Sequence, residues 1–233
     1  MSPKIGWPKG NKTLSLDDES FCYGLSGLTS LIINNQERFD KAQACCSTVP
    51  EILTLAIEAK DHYTHKHSVR VTFLAIALAE CVGFQGEELE NLKMASLLHD
   101  AGKIGIPTEI LLKRDKLTAE ERKILKMHPT MSAEIIEYFQ CVPDDIIKTV
   151  RHHHERMDGE GYPGKLKGAD IPLASRILAI VDAWDAMTAD RPYRRALTKS
   201  EAGRELRGGK GTQFDEMLVD LFLVMISSSL SVH

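Results

Sequence analysis

The sequence predicts an all-α chain, on three observations. Apolar residues recur at three- and four-residue spacing in one segment after another, the period of an amphipathic helix. No run alternates apolar and polar residues far enough to make a strand, and no fixed-period repeat or low-complexity tract is present. Helix-start chemistry recurs too: Pro50 opens one apolar segment, and Thr118 with Glu121 three residues on reads as a capping box.

Taken in order, residues 1–20 are rich in Pro, Gly, Lys and Asp and read as an arm. A weak helical pattern covers 28–46. The segment EILTLAIEAKD after Pro50 places apolar residues at 52, 53, 56 and 57, one face of a helix. The next helix, 65–81, carries Val69, Val71, Phe73, Leu74, Ile76, Ala77 and Leu78, apolar nearly all round, and is expected in the core. Helices follow at 87–98, from Thr118, and over 131–140, 143–154, 171–188, 199–207 and 214–227. Between them, ERMDGEGYPGKLKGAD at 155–170 has the glycines, proline and alternating charges of a surface loop. This divides the chain into an N-terminal appendage, 1–50, of unassigned role and a helical domain, 51–233.

With 233 residues, 43% of them hydrophobic, the chain can bury a substantial core. A net charge of −4 makes it no general trap for DNA or RNA, although a local site can still be positive. The five cysteines lack framework spacing and read as reduced, mostly apolar core residues of a cytoplasmic protein. The N-terminus has no apolar stretch of the signal-peptide kind. The apolar tail, 218–226, is interrupted by Asp220 and falls short of the ~20 residues that cross a membrane.

One stretch asks for chemistry. SLLHDAGKIG, 96–105, ends a buried run with His99 and Asp100 and then adds Lys103. His67, His128, His153, His154 and Asp182 likewise stand in or beside apolar sequence. Buried imidazoles and carboxylates are costly without partners, and a cation satisfies both kinds at once. Nitrogen and carboxylate donors without thiolate suit first-row metals such as iron, manganese, nickel or zinc. So many donors suggest two ions, with Asp100, whose carboxylate has two oxygens, as the bridge. Paired ions about 3.5–4 Å apart serve phosphoryl displacement. Lys103 is placed to stabilise charge developing on a phosphate, with Gly102 and Gly105 letting the backbone turn beside it.

These residues resemble a known family. His99-Asp100-Ala101-Gly102-Lys103, with His67 before and Asp182 after, resembles the HD superfamily of metal-dependent phosphohydrolases. HHERMDGEGYPG, 153–164, resembles the HHE-x-x-DG-x-GYP signature of HD-GYP domains, and DAWDAMTADRPYR, 182–194, and GTQFD, 211–215, look like its later motifs. The resemblance runs from about Asp61 to the C-terminus. It implies an HD-type helical bundle around a metal centre, extended by the GYP loop and C-terminal helices, that opens cyclic di-GMP to pGpG, a reaction that many members carry on to GMP; which product ends it here stays open. It further implies that His67, His99, Asp100 and Asp182 hold one cation and that Asp100, His128, His153 and His154 hold the second. Lys103 falls beside the scissile phosphate, and Tyr162, Arg191 and Arg194 fall where the family contacts substrate. Iron or manganese are the metals it favours.

The chain departs from the pattern at three places. Tyr63 stands where some members carry a third-metal glutamate, so two cations are expected. Arg194 stands where lysine is common, and Glu216 replaces a proline. Asp158 and Glu155 are read as loop organisers, and His152 as an exposed extra. Other readings stay open: another cyclic dinucleotide such as cyclic GMP-AMP, or a catalytically weak module that docks a GGDEF-type or other signalling protein through the GYP loop. An oligomer is also left open.

Overall fold

The helical periodicity is realised in a computed structural model that describes residues 60, 64–139, 142–190 and 195–228. Among these residues are nine α-helices: α1 (Thr64–Cys81), α2 (Glu87–Leu98), α3 (Thr108–Leu111), α4 (Ala119–Leu125), α5 (His128–Glu137), α6 (Asp144–Arg151), α7 (Leu173–Thr188), α8 (Lys199–Gly208) and α9 (Glu216–Ser228). Two 3₁₀ turns, Ala101–Gly105 and Gly168–Asp170, join them. The described residues contain a single bridge, Lys210 to Phe214, and no strand, so the chain is all-α. They fall within one compact unit, Cys46–His233. The helix expected over 28–46, the one after Pro50 apart from Lys60, and Tyr63, Arg191 and Arg194 lie outside them.

Local chemistry explains the boundaries. α1 stops because Gly83 adopts φ +95°, a left-handed conformation that suits glycine. Phe84 N–H then bonds Ala79 O and Gly83 N–H bonds Glu80 O, which satisfies two of the helix's last carbonyls. α2 opens with Glu87, Glu88 and Glu90 at its positive end. Thr118 and Glu121 form the expected reciprocal cap of α4, and Thr198 with Glu201 repeats it on α8. α5 begins at His128, three residues before the expected start, because Pro129 fits the first helical turn, where its missing N–H costs nothing. That shift puts His128 on the helix itself.

Two apolar clusters hold the helices. The larger joins α1, α2, α7, α8 and α9 through Val71, Leu78, Leu92, Ile177, Val181, Leu206 and Phe222, with Trp184 edge-on to Phe222 at 5.4 Å. The smaller joins α2, α5 and α6 through Leu98, Ile136, Ile146 and Val150. α1 departs from the expectation of burial all round. Val69 is 51% and Phe73 73% exposed, because the helix turns its other face, with Val71, Leu74, Ala75, Leu78 and Ala79, to the core. Cys81 is likewise exposed rather than in the core. No helix among the described residues is long and apolar enough to cross a membrane.

Candidate metal centre

Three histidines are set by one local device. His99 Nδ1 donates to Ser96 O at 2.7 Å, His128 Nδ1 to Leu125 O at 2.7 Å, and His153 Nδ1 to Val150 O at 2.6 Å. Each ring follows the end of a helix, α2, α4 or α6, and takes a carbonyl three residues back that the helix leaves unpaired. A carbonyl only accepts, so Nδ1 carries the proton and Nε2 offers a lone pair. All three Nε2 atoms are buried without a hydrogen bond. Three orphaned lone pairs in one place call for a cation rather than for packing.

The donors converge as two groups that share one carboxylate. Asp100 Oδ2 faces His99 Nε2 at 3.4 Å and His67 Nε2 at 3.9 Å, while Oδ1 faces His128 Nε2 at 3.4 Å. His67 Nε2 lies 3.3 Å from Asp182 Oδ1 on α7. Two donors on a single cation at about 2.1 Å stand roughly 3.0–3.4 Å apart, which most of these spacings match. His67, His99 and Asp100 form one set with donor atoms within 4.8 Å of one another, and His128, His153 and His154 form the other. The donor set therefore fits metal binding. Lys103 Nζ sits 2.5 Å from Asp100 Oδ2.

Packing fixes Asp100 between the groups. Ser132 Oγ on α5 donates to His99 O and accepts from Gly102 N–H, both at 2.7 Å. This ties the 3₁₀ turn to the first turn of α5. Gly102 serves close approach rather than the sharp bend expected of it: a Cβ there would stand 2.2 Å from His128 O. Lys60 Nζ donates to Ile104 O and Ile106 O at 2.6 and 2.5 Å, which holds the far end of the same turn.

Electrostatics follow from burial. Burial alone would raise the Asp100 carboxyl, but Lys103, His99 and His128 outweigh it and hold the group well below the usual carboxylate range. Burial pushes His128 and His154 down to about 3, and His153 well below its ordinary value, so these rings are neutral donors. Burial also opposes protonation of His67, yet Asp182 and Asp185 overcome it and lift it to about 9. Metal-free protein is therefore expected to be most stable near pH 6.5. Below that, the unfolded chain takes up protons that folded His128 and His154 refuse, so stability falls as pH drops from about 6.5 towards about 3. Above it, folded His67 keeps a proton that the unfolded chain has released, and its contribution is lost as pH rises through about 9. Melting temperature against pH in chelator checks this; a steady rise from about pH 6.5 to pH 9 would contradict it.

Asp185 is a residue that the sequence reading did not single out. It is buried, accepts from His67 Nδ1 at 2.7 Å, and is gripped by Arg70 through Nε at 2.5 Å and Nη2 at 2.8 Å. The signal was available: Asp182 and Asp185 are three apart on one helical face. Asp185→Asn is expected to weaken metal binding about 10–100-fold without unfolding the chain. Metal titration with circular dichroism on the same samples checks it.

α6 ends at Arg151, earlier than expected, so His153 and His154 stand just beyond it, at the mouth of the loop. Glu155 turns its buried carboxylate inward to accept Gly164 N–H at 2.5 Å and Leu166 N–H at 3.1 Å. Gly161 has to be glycine, since a Cβ would meet Glu155 Cα and Arg156 N at 2.5 Å. Asp158 pairs with Arg156, and its N–H bonds Thr212 O at 2.8 Å, which draws the GTQFD segment to the loop. Asp215 of that segment accepts from Met217 N–H and Arg176, and so starts α9. His152 is half-buried against Glu155 at 3.4 Å instead of exposed, because the carboxylate it meets has turned inward. The loop puts Tyr162, joined to Pro163 by a cis bond, stacked on His154 with ring centroids 5.0 Å apart. A cavity of about 550 Å³ opens here, lined by His153, His154, Asp182, Tyr162, Arg156 and Lys126 among others.

Comparisons with known proteins agree with this geometry. Residues 51–218 match the family model described as HD domain. The chain is 38% identical over 192 residues to a cyclic di-GMP phosphodiesterase of Thermotoga maritima, covering 81% of this chain and 51% of that protein. It is 39% identical over 172 residues to 3'3'-cGAMP-specific phosphodiesterase 2 of Vibrio cholerae, covering 73% and 33%. The chain thus spans about half the length of the first and a third of the second. In fold it is similar to an HDG"Y"P protein from Bdellovibrio bacteriovorus, with a TM-score of 0.61 at 20% identity over 85% of this chain and 67% of that one. The chain belongs to the HD domain family, in its HD-GYP form.

Proposed function

We propose that the protein hydrolyses cyclic di-GMP to pGpG and on to GMP, as a cytoplasmic enzyme. The observation that carries this is the Asp100 carboxylate, whose two oxygens face two separate groups of histidine donors. In this reading His67, His99, Asp100 and Asp182 hold one divalent cation, and Asp100, His128, His153 and His154 hold the other. Iron or manganese, and also nickel or zinc, suit such donors. Bound there, the cations would acidify water and offset the charge of a phosphodiester.

The chain's own groups do the rest. Asp100 stays ionised. Lys103, whose ammonium shares its oxygen, stands ready for negative charge that develops on the phosphate. Burial raises the Tyr162 phenol above its ordinary value, so the hydroxyl keeps its proton and serves as a donor rather than a base. Arg191 and Arg194 lie outside the described residues; the family resemblance and the fit of a planar guanidinium to phosphate assign them to the substrate.

The near-equal identity to a protein named for cyclic GMP-AMP keeps that substrate as a second reading. Anaerobically purified protein should contain two ions per chain and convert cyclic di-GMP to pGpG and then GMP by product chromatography. Turnover of cyclic GMP-AMP alone would change the substrate. A metal-loaded protein inert to both would favour the docking module.

A further inference from the structure

The metal centre can face only one of a cyclic dinucleotide's two phosphodiesters at a time. The other is an anion at the cavity mouth and needs a cation of its own. Among the described residues lining the cavity there are two cationic side chains, Arg156 and Lys126. Arg156 is committed: Asp158 holds it at Nε, 3.0 Å, and Nη2, 2.6 Å. Lys126, just beyond the last turn of α4, instead rests its ammonium over the Tyr162 ring, 5.0 Å from the centroid. Tyr162 in turn stacks on His154. A ring contact of this kind holds a lysine in place without neutralising it. No carboxylate among the described residues pairs with Lys126.

Lys126 also walls a second, shallow depression of about 360 Å³ with Ala119, Arg122 and Lys123. The spacing 119, 122, 123, 126 is one face of α4. The small alanine leaves room, the side-chain stems of Arg122, Lys123 and Lys126 wall it, and Leu117 O accepts from Arg122 Nε at 3.2 Å and tethers that guanidinium. A flat, weakly hydrated guanidinium is suited to the face or edge of a base, and an ammonium to a phosphate.

We propose that Lys126 holds the phosphate of a cyclic dinucleotide that is not being cleaved, and that the α4 face of Ala119, Arg122 and Lys123 receives the nucleotide attached to it. This rests on the cyclic-dinucleotide reading above and adds to it a subsite for the far half of the substrate.

The test is an equilibrium titration of the metal-loaded full chain. The probes are the hydrolysis-resistant bis-phosphorothioate of cyclic di-GMP and, separately, inorganic phosphate, which needs only the metal centre. Lys126→Met should weaken the dinucleotide probe at least about fivefold at low salt and flatten its salt dependence. Lys126→Arg should restore it to within about twofold, and inorganic phosphate should bind both variants like wild type. Dinucleotide binding unchanged in Lys126→Met overturns the proposal. So does an equal loss for both probes, which would make Lys126 a support of the metal centre. A wild-type protein that binds phosphate but not the dinucleotide overturns the cyclic-dinucleotide reading itself, and the subsite with it.

Discussion

Asp100→Ala is expected to remove metal and activity together. The substitution takes a donor from both groups at once, since Oδ2 serves His67 and His99 while Oδ1 serves His128. It also leaves the Lys103 ammonium without the carboxylate that it touches. Metal content should fall below one ion per chain, and turnover of cyclic di-GMP by at least about a thousandfold. Asp100→Asn keeps the shape and one good oxygen acceptor, so it should retain part of the metal and little of the activity. Elemental analysis and product chromatography on one preparation separate the two effects. Turnover near wild type in Asp100→Ala would end the bridging assignment.

Gly102→Ala is expected to have the next largest effect, though it removes no proposed ligand. Its Cβ would lie 2.2 Å from His128 O, 2.6 Å from Ser132 N and 2.8 Å from Met131 Cβ. Two of these are backbone atoms of α5 and cannot rotate away. The 3₁₀ turn must lift from the helix, breaking the Gly102 N–H to Ser132 Oγ bond and parting Asp100 from His128. Overpacking of this kind costs about 3 kcal/mol, which lowers the melting temperature by roughly 6–12 °C in a chain of this size. Metal affinity should fall along with it. Thermal unfolding with and without added metal checks both halves. A melting temperature unchanged in chelator would mean that the contact with α5 is looser than described.

Much of the fold was legible because helices announce themselves locally. The Thr118–Glu121 cap, the glycine that ends α1 and the apolar face of α7 are each set within a few residues. The errors share one cause: burial depends on distant partners. An apolar stretch such as Val69–Leu78 carries no mark of which face will be covered, so Phe73 was expected inside and stands out. α6 stops short of His153 because Glu155 turns inward to cap the loop's own amides, a bond across nine residues that periodicity does not register. Asp185 went undervalued for the same reason, since its partner His67 lies 118 residues away.

The sequence by itself determined the kinds of donor and their local posture. Histidine three residues after a helix's last free carbonyls folds back on one, and that alone fixes which ring nitrogen faces outward. Only the tertiary structure decided that these outward nitrogens meet. Donors from α1, α5, α7 and the ends of α2 and α6 gather around Asp100 because the two apolar clusters and the glycine contact between the 3₁₀ turn and α5 bring those segments within a few ångströms. Distance along the chain carries no information about that convergence; close packing of the helices creates it.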